Sequence, residues 1–101
     1  MIISNISLLV SIIDSKLHFN PILLGFKNKT FILTGKLIED NYVLHELKRI
    51  YKIDIIVIKK LNPFIIYKIA SEHETLLSEF LMIKGDEDSE RIAKMINIQL
   101  I

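Results

Sequence analysis

The run of residues 53–58, IDIIVI, narrows the fold more than any other segment of the chain. From Ile55 to Ile58 every side chain is apolar, without the alternation expected of a strand that has one face in water. A strand of this kind is typical of a parallel sheet covered by helices on both faces. A second β-prone run, TFILT, occupies residues 30–34, and the segment 41–52 between the two runs has helical spacing. The pattern therefore predicts an α/β fold with a parallel sheet.

Length and composition indicate one small domain. The chain has 101 residues, of which 50% are hydrophobic, enough for a single packed core. It contains no cysteine, which excludes disulfides, thiolate metal sites and cysteine nucleophiles. With 13 basic residues against 12 acidic ones and a net charge of +1, the chain lacks the broad positive surface that drives non-specific nucleic-acid binding. Any contact with phosphate is expected to be local, made by a few placed groups.

The first 28 residues are predicted to form a helix and a linker. Residues 4–19 carry apolar side chains at helical spacing, and Asn20-Pro21 ends the pattern because a residue before proline avoids helical backbone angles. The apolar start has neither the flanks of a signal peptide nor the length of about 20 residues that a membrane span needs. We therefore expect a soluble, cytoplasmic protein (nuclear in a eukaryote) with no membrane partner.

The segment 62–83 contains one clear prediction and one ambiguity. Residues 64–69 follow Asn62-Pro63 and form a β-prone run. Residues 71–81 have a capping-box pattern followed by apolar side chains at helical spacing, which favours a helix. Residues 80–83, just before Lys84-Gly85, also have the pattern of a buried strand, and local rules do not separate the two for so short a run.

The helix ends are predicted from capping residues. Asp40 is a candidate N-cap for helix 41–52, and Ser89, after an acidic loop, is a candidate N-cap for a helix over residues 90–97. Residues 98–101 are predicted to end the chain as a strand.

No catalytic motif is visible in the sequence. His73-Glu74 begins a zinc-protease pattern, but Leu77 stands where the second histidine is required. The acidic turn at residues 86–88 begins like a calcium loop, but Arg91 stands where that loop needs glycine. We predict no catalytic residue, no metal site and no cofactor.

Two blocks of sequence carry a likeness to a known family. The first is KTFILTG at residues 29–35, followed by an amphipathic helix. The second is FLMIKGDEDSERIAKMINIQLI at residues 80–101, where a strand ends at glycine before an acidic loop. A serine then opens a helix that carries Lys94 and leads into an Ile-rich strand. In this order the blocks resemble a BRCT domain, most closely the C-terminal BRCT domain of NAD-dependent DNA ligases.

The resemblance implies both a fold and a site. Residues 29–101 would form a BRCT-like domain, a small parallel four-stranded sheet with strand order 2-1-3-4, flanked by helices and lacking the family's last helix. The family's phosphate pocket maps onto Thr34, Gly35 and Lys94: a hydroxyl, a backbone N–H without an obstructing Cβ, and an ammonium. Each of the three also fits a purely structural role, as a strand end, a turn and a solvated helix position.

The function implied is that of a non-catalytic recognition module of DNA replication or repair, such as the accessory domain of a DNA ligase. Its partner would be DNA, at a nick or a 5′-phosphate end, or a phosphorylated or other protein. The Lys-x-Asp-Gly nucleophile motif of ligases is absent, so adenylation of DNA is excluded for this chain. The alternative is a stand-alone protein–protein interaction protein, encoded in an AT-rich or viral genome, with no role on DNA.

Overall fold

The fold, in a computed structural model that describes residues 1–35 and 41–101, has a parallel sheet between two layers. In chain order the described elements are β1 (Ile2–Asn5), β2 (Val10–Ile13), β3 (Lys16–Phe19), β4 (Thr30–Thr34), α1 (Asn41–Tyr51), β5 (Asp54–Val57), α2 (Pro63–Glu72), β6 (Leu81–Met82), α3 (Glu87–Met95) and β7 (Gln99–Leu100). Short 3-10 helices occupy Ile6–Leu8, Pro21–Phe26 and Leu77–Glu79.

Five of the described strands form one parallel sheet in the order β5-β4-β1-β6-β7. Ile3 of β1 lies opposite Ile32 of β4 on one side and opposite Met82 of β6 on the other. The predicted α/β fold, with a parallel sheet flanked by helices, is confirmed. The runs at residues 30–34, 53–58, 80–83 and 98–101 contain β4, β5, β6 and β7. Numbered in that order as the first to the fourth strand, they follow the implied order 2-1-3-4, but β1 is inserted between the first and the third. The sheet therefore has five strands instead of four.

The helix predicted over residues 4–19 is wrong. Ile2–Asn5 form the central strand β1, and β2 and β3 then pair as an antiparallel hairpin. Asp14 and Ser15 make its two-residue turn with φ values of 52° and 62°, the left-handed conformation that such turns require. The apolar spacing of this segment matches a helix by period alone. Burial of Ile2 and Ile3 at the centre of the sheet favours the strand instead.

The alternation of side chains along the strands builds two cores, one on each face of the sheet. On one face Ile2, Phe31 and Leu33 pack with α1, the hairpin and the segment Pro21–Phe26. On the other face Ile3, Ile32 and Met82 pack with α2 and α3. Because each fully buried aliphatic or aromatic side chain contributes about 1.5–3 kcal/mol, both layers are needed to stabilise the fold. The described parts of residues 1–28 and 29–101 thus share one sheet and contribute to the cores on both of its faces.

The strand predicted at residues 64–69 is also wrong, because this segment belongs to helix α2. Asn62 caps the helix, its Oδ1 accepting a hydrogen bond from Ile65 N at 3.0 Å, and Pro63 occupies the first turn, where proline fits. Ile66 and Ile69 are buried at helical spacing. Packing of that stripe against the sheet outweighs the strand propensity of isoleucine.

The ambiguous segment that follows resolves in favour of a strand. Helix α2 ends at Glu72, and Glu74 has a φ of 51°, which interrupts helical geometry. Phe80 is then fully buried, and β6 is Leu81–Met82.

The remaining predicted elements are found with shifted ends. Helix α1 ends at Tyr51, and its predicted N-cap, Asp40, lies outside the described residues. Helix α3 begins earlier than predicted because Asp86, not Ser89, is its N-cap. Strand β5 is the edge of the sheet, so Val57 is 46% exposed although the sequence predicted a strand buried on both sides.

Candidate functional site

The carboxyl edge of the sheet contains a crevice at the point where the chain changes direction across the sheet. After β1 the chain adds β4 and β5 on one side, then returns to add β6 and β7 on the other. In open α/β sheets, ligands bind outside the carboxyl ends of the strands at such a switch point. Here the switch point lies between β1 and β6, so the carboxyl edge of the sheet is the expected position of a binding site.

The crevice has a volume of about 190 Å³ and is mostly polar. Each of four neighbouring strands delivers residues to it from its carboxyl end or from the loop that follows. Among the described residues its lining consists of Asn5, Thr34, Lys59, Lys60, Leu61, Asp86, Asp88, Ser89 and Ile92.

Two lysines supply the positive charge of the crevice. Lys59 and Lys60 follow β5 after one intervening residue, Ile58, and both side chains are exposed. Thr34 Oγ1 donates a long hydrogen bond of 3.4 Å to the Lys59 carbonyl oxygen, which ties the end of β4 to this loop. In the part of the chain that the structure describes, neither lysine takes part in an ion pair.

The carboxylates of the crevice already have partners. Asp86 Oδ1 accepts a hydrogen bond from the backbone N–H of Ser89 at 2.7 Å, as the N-cap of α3. Asp88 Oδ1 lies 3.2 Å from a guanidinium nitrogen of Arg91. Acidic residues in the first turn also interact favourably with the positive end of the helix dipole. Among the described residues of the lining, Lys59, Lys60 and Asp86 are thus the charged side chains without an ion-pair partner, which leaves an excess of positive charge.

The structure brings together two of the three site residues predicted from the sequence. Thr34 lines the crevice, and Gly35 follows it with a φ of +113°. Lys94 lies in the last turn of α3, exposed, and is not part of the crevice lining. The N-terminus of that helix, and not its lysine, borders the crevice.

Sequence reasoning missed Lys59 and Lys60. The available signal was their position, since two adjacent lysines follow an apolar parallel strand directly, where α/β sheets bind ligands. Asn5 was missed for another reason: its segment was predicted to be helical, so it had no place at a strand end.

Two other cavities are lined by described residues. One of about 300 Å³ lies between the β2–β3 hairpin and the segment that leads into Pro21. The other, about 380 Å³, is a more apolar groove between the edge strand β5 and helix α2. The first is lined by a single titratable side chain, His18, and the second by the Lys68–Glu72 ion pair and Lys59. Neither gathers the unpaired charge that the crevice has.

Among the described residues, Glu46 is the one side-chain carboxyl group with a shifted pKa. It lies on α1 and is not part of the crevice lining. The guanidinium of Arg49 donates to both carboxylate oxygens of Glu46, at 2.7 and 3.3 Å, and this lowers the pKa of Glu46. Residues 1–35 and 41–101 contain no group of three or more His, Asp or Glu side chains placed to hold a metal ion.

Comparison with known proteins identifies no relative of this chain. No protein-family model, no curated protein and no solved structure matches the chain. Among the helices of the described residues, none is long and apolar enough to cross a bilayer.

Proposed function

We propose that this chain is a non-catalytic module that binds phosphate groups of nucleic acid in the crevice at the carboxyl edge of its sheet. The observation that carries the proposal is the pair Lys59 and Lys60, which form no ion pair among the described residues and line the crevice together with Thr34. The two ammonium groups are suitable donors for phosphate oxygens, and charge-assisted hydrogen bonds are the stronger kind. The Thr34 hydroxyl would join them by exchanging its long hydrogen bond to the Lys59 carbonyl oxygen for one to phosphate.

Two backbone features support an anion as the ligand. Gly35 follows the strand end without a side chain, so its N–H is not screened by a Cβ. Helix α3 starts at Glu87 and has its positive dipole end at the crevice, an arrangement that favours negative charge, although the Asp86 cap and the acidic first turn already offset part of it.

Asp86 and Asp88 bring negative charge to the same crevice and set a limit on affinity. Both already have partners, in Ser89 N–H and Arg91, which reduces their repulsion of a phosphate. With a net charge of only +1, the chain has no general attraction for DNA. Binding is therefore expected to be weak, local and sensitive to salt.

For the wider role, we propose an accessory module of DNA replication or repair, of the kind that a BRCT domain provides in a DNA ligase. The support is the pairing of KTFILTG with residues 80–101 and the order of β5, β4, β6 and β7 along the sheet. The central strand β1 is the feature that this likeness does not explain. The partner would be nicked or 5′-phosphorylated DNA in the cytoplasm, with nucleotidyl transfer left to another domain.

The test is a titration of labelled nicked duplex, with and without a 5′-phosphate at the nick, followed by fluorescence anisotropy at two salt concentrations. We expect tighter binding of the phosphorylated form. Lys59→Ala and Lys60→Ala should each weaken that binding by up to about fivefold, because an exposed charge pair contributes about 0.2–1 kcal/mol.

Two further lysines serve as controls. Lys16→Ala, on the hairpin, removes the same charge elsewhere and should leave affinity unchanged. Lys94→Ala separates this crevice from the pocket implied by the family resemblance, because a loss there would assign the phosphate to α3. Equal binding of both DNA forms, with no effect of either crevice lysine, would reject the proposal. If a labelled phosphopeptide binds and neither form of DNA does, the ligand is a phosphoprotein.

A further inference from the structure

The segment from Lys59 to Lys68 exposes two aromatic rings between lysines. Phe64 is 81% exposed and Tyr67 is 44% exposed, although both lie on helix α2 of a chain rich in buried apolar residues. The side chain of Lys68 beside them is 74% exposed. Large aromatic side chains left in water at this spacing are the kind of surface feature that marks a binding site.

The packing of α2 explains why these rings face outward. Ile66, Ile69 and Ala70 are buried against the sheet and define the inner side of the helix. Phe64 and Tyr67 are three residues apart, so they are neighbours on the helix surface. Because the inner side is already filled, neither ring is needed for the core, and both are available to a ligand.

The first turn of α2 holds Phe64 in a defined position. The Asn62 cap and Pro63 restrict the backbone just before it. Because the backbone that carries the ring is already fixed, only the rotamer freedom of the side chain is lost when a ligand binds.

Helix α2 begins where the crevice ends. Lys59, Lys60 and Leu61 line the crevice, and Phe64 follows in the first turn of the helix. Phe64 is the fourth residue after Lys60, so their Cα atoms lie at most about 14 Å apart. A short length of nucleic-acid strand spans that distance.

We infer that Phe64 and Tyr67 form a stacking platform for unpaired bases, and that the chain recognises single-stranded nucleic acid, or a strand end at a nick, whose phosphates occupy the crevice. This inference rests on the proposed phosphate site and specifies its ligand. Proteins that bind single strands combine a basic track along the backbone with aromatic side chains beneath the bases. Lys59, Lys60 and Lys68 provide the positive charge here. Glu72 is the one acidic side chain paired with this set in the described residues, at 3.9 Å from Lys68.

Stacking makes a specific demand on the ligand. In an intact duplex the base faces are occupied by neighbouring bases, so they are not accessible to a protein ring. A single-stranded oligonucleotide should therefore bind more tightly than a blunt duplex of the same sequence. A strand without bases should bind through its phosphates alone.

The experiment uses the full chain with a 5′-phosphorylated single-stranded oligonucleotide, an abasic strand of equal length and the blunt duplex. Phe64→Ala should weaken binding of the single strand about tenfold, the usual effect of removing one stacked ring, and leave the abasic strand unaffected. Tyr67→Ala should have a smaller effect because its ring is less exposed. Leu24→Ala is the matched control, since Leu24 is 62% exposed and lies on the segment Pro21–Phe26.

A spectroscopic variant tests stacking directly. The chain contains no tryptophan, so Phe64→Trp places its single indole, which can be excited selectively over tyrosine, at the platform. Its emission should be quenched by the single strand and unchanged by the abasic strand. Retained affinity in this variant, beside the loss in Phe64→Ala, would show that an aromatic ring is what the site requires.

The outcomes separate the two proposals. If Lys59→Ala and Lys60→Ala weaken binding while Phe64→Ala and the Trp emission show no response, the stacking platform is rejected and the phosphate site stands. If the lysine variants also bind like the wild type, the phosphate site is rejected as well. If Phe64→Ala changes self-association in sedimentation experiments but not oligonucleotide binding, the aromatic surface is a protein interface and the stacking inference is wrong.

Discussion

A Cβ atom on Gly35 would lie 2.6 Å from Oδ1 of Asn5, so the residue after β4 and the last residue of β1 approach too closely for a side chain. Asn5 cannot turn away freely, because the same oxygen accepts hydrogen bonds from the N–H and the hydroxyl of Ser7, at 2.9 and 2.8 Å. Two structural features thus explain why this residue is glycine: its backbone approaches Asn5 closely, and its φ is +113°. It shapes the rim of the crevice whether or not its N–H contacts a ligand.

We expect Gly35→Ala to lower the free energy of unfolding by about 1–3 kcal/mol, from backbone strain together with the contact to Asn5. Urea denaturation measures the change. Gly25→Ala is the matched control: a Cβ there meets no atom within 4 Å, so its effect should stay within about 0.5 kcal/mol. Equal stability of the two variants would show that the strand end adapts to a side chain.

Phe80 and Phe64 should respond in opposite ways to truncation. Phe80 is fully buried between the sheet and the helices α2 and α3, whereas Phe64 is 81% exposed. Phe80→Ala should cost about 3–5 kcal/mol in stability, and Phe64→Ala no more than about 0.5 kcal/mol. Thermal and urea unfolding of both variants check this. A large loss of stability in Phe64→Ala would mean that its ring packs against the core.

The side chain of Asn62 should contribute to the stability of α2. Its Oδ1 accepts a hydrogen bond from Ile65 N at 3.0 Å. Asn62→Ala removes this cap and should cost about 0.5–2 kcal/mol, whereas Asn62→Asp keeps an accepting oxygen and should stay close to the wild type. Urea unfolding of the three proteins distinguishes the lost cap from a general effect of substitution. Equal losses in both variants would contradict this assignment.

Removing negative charge from the crevice should strengthen the binding of phosphate. Asp88→Asn abolishes one carboxylate of the lining and releases Arg91 from its ion pair. We expect affinity for a 5′-phosphorylated strand to rise about twofold to fivefold at low salt, and the gain to shrink as salt screens the charges. Asp14→Asn, in the hairpin turn, changes net charge equally and should have no effect. If both substitutions act alike, the gain reflects total charge and not the crevice.

The pKa of Glu46 should rise when Arg49 is replaced. The hydrogen bonds from the Arg49 guanidinium hold the pKa of this carboxyl below its ordinary value of 4.5. A lowered pKa means that the ionised form stabilises the fold fully above pH 4.5 and loses that effect as the pH falls through the folded-state pKa. In Arg49→Ala the titration should move back towards 4.5. An NMR titration of the side-chain carboxyl of Glu46 measures this, with Arg91→Ala as a control that should leave it unchanged.

The sequence predicted well those elements whose local pattern agrees with the tertiary structure. The run TFILT is strand β4, and the amphipathic spacing after residue 41 is helix α1. It failed at residues 64–69, where isoleucine favours a strand but the Asn62 cap and burial at helical spacing produce α2. Short apolar runs have no period long enough to decide the matter, so packing decides it.

Only part of the candidate site was predicted from the sequence. Thr34 and Gly35 entered the prediction through the resemblance to a BRCT domain, whose phosphate pocket lies at the end of the strand that TFILT resembles. Lys59 and Lys60 carry no local signal beyond their charge, and they become site residues only because the order of strands in the sheet places the end of β5 beside the crevice.

By itself the sequence determined the α/β class and its parallel sheet, since apolar runs without alternation require cover on both faces. The glycine after TFILT, whose backbone lies close against Asn5, was also visible in the sequence. Only the tertiary structure decided that Ile2–Asn5 is the central strand, because that choice depends on pairing with β4 and β6, which lie far along the chain. Hydrogen bonds between distant segments leave no periodic mark in either partner, and for this reason the position of the crevice follows from the fold alone.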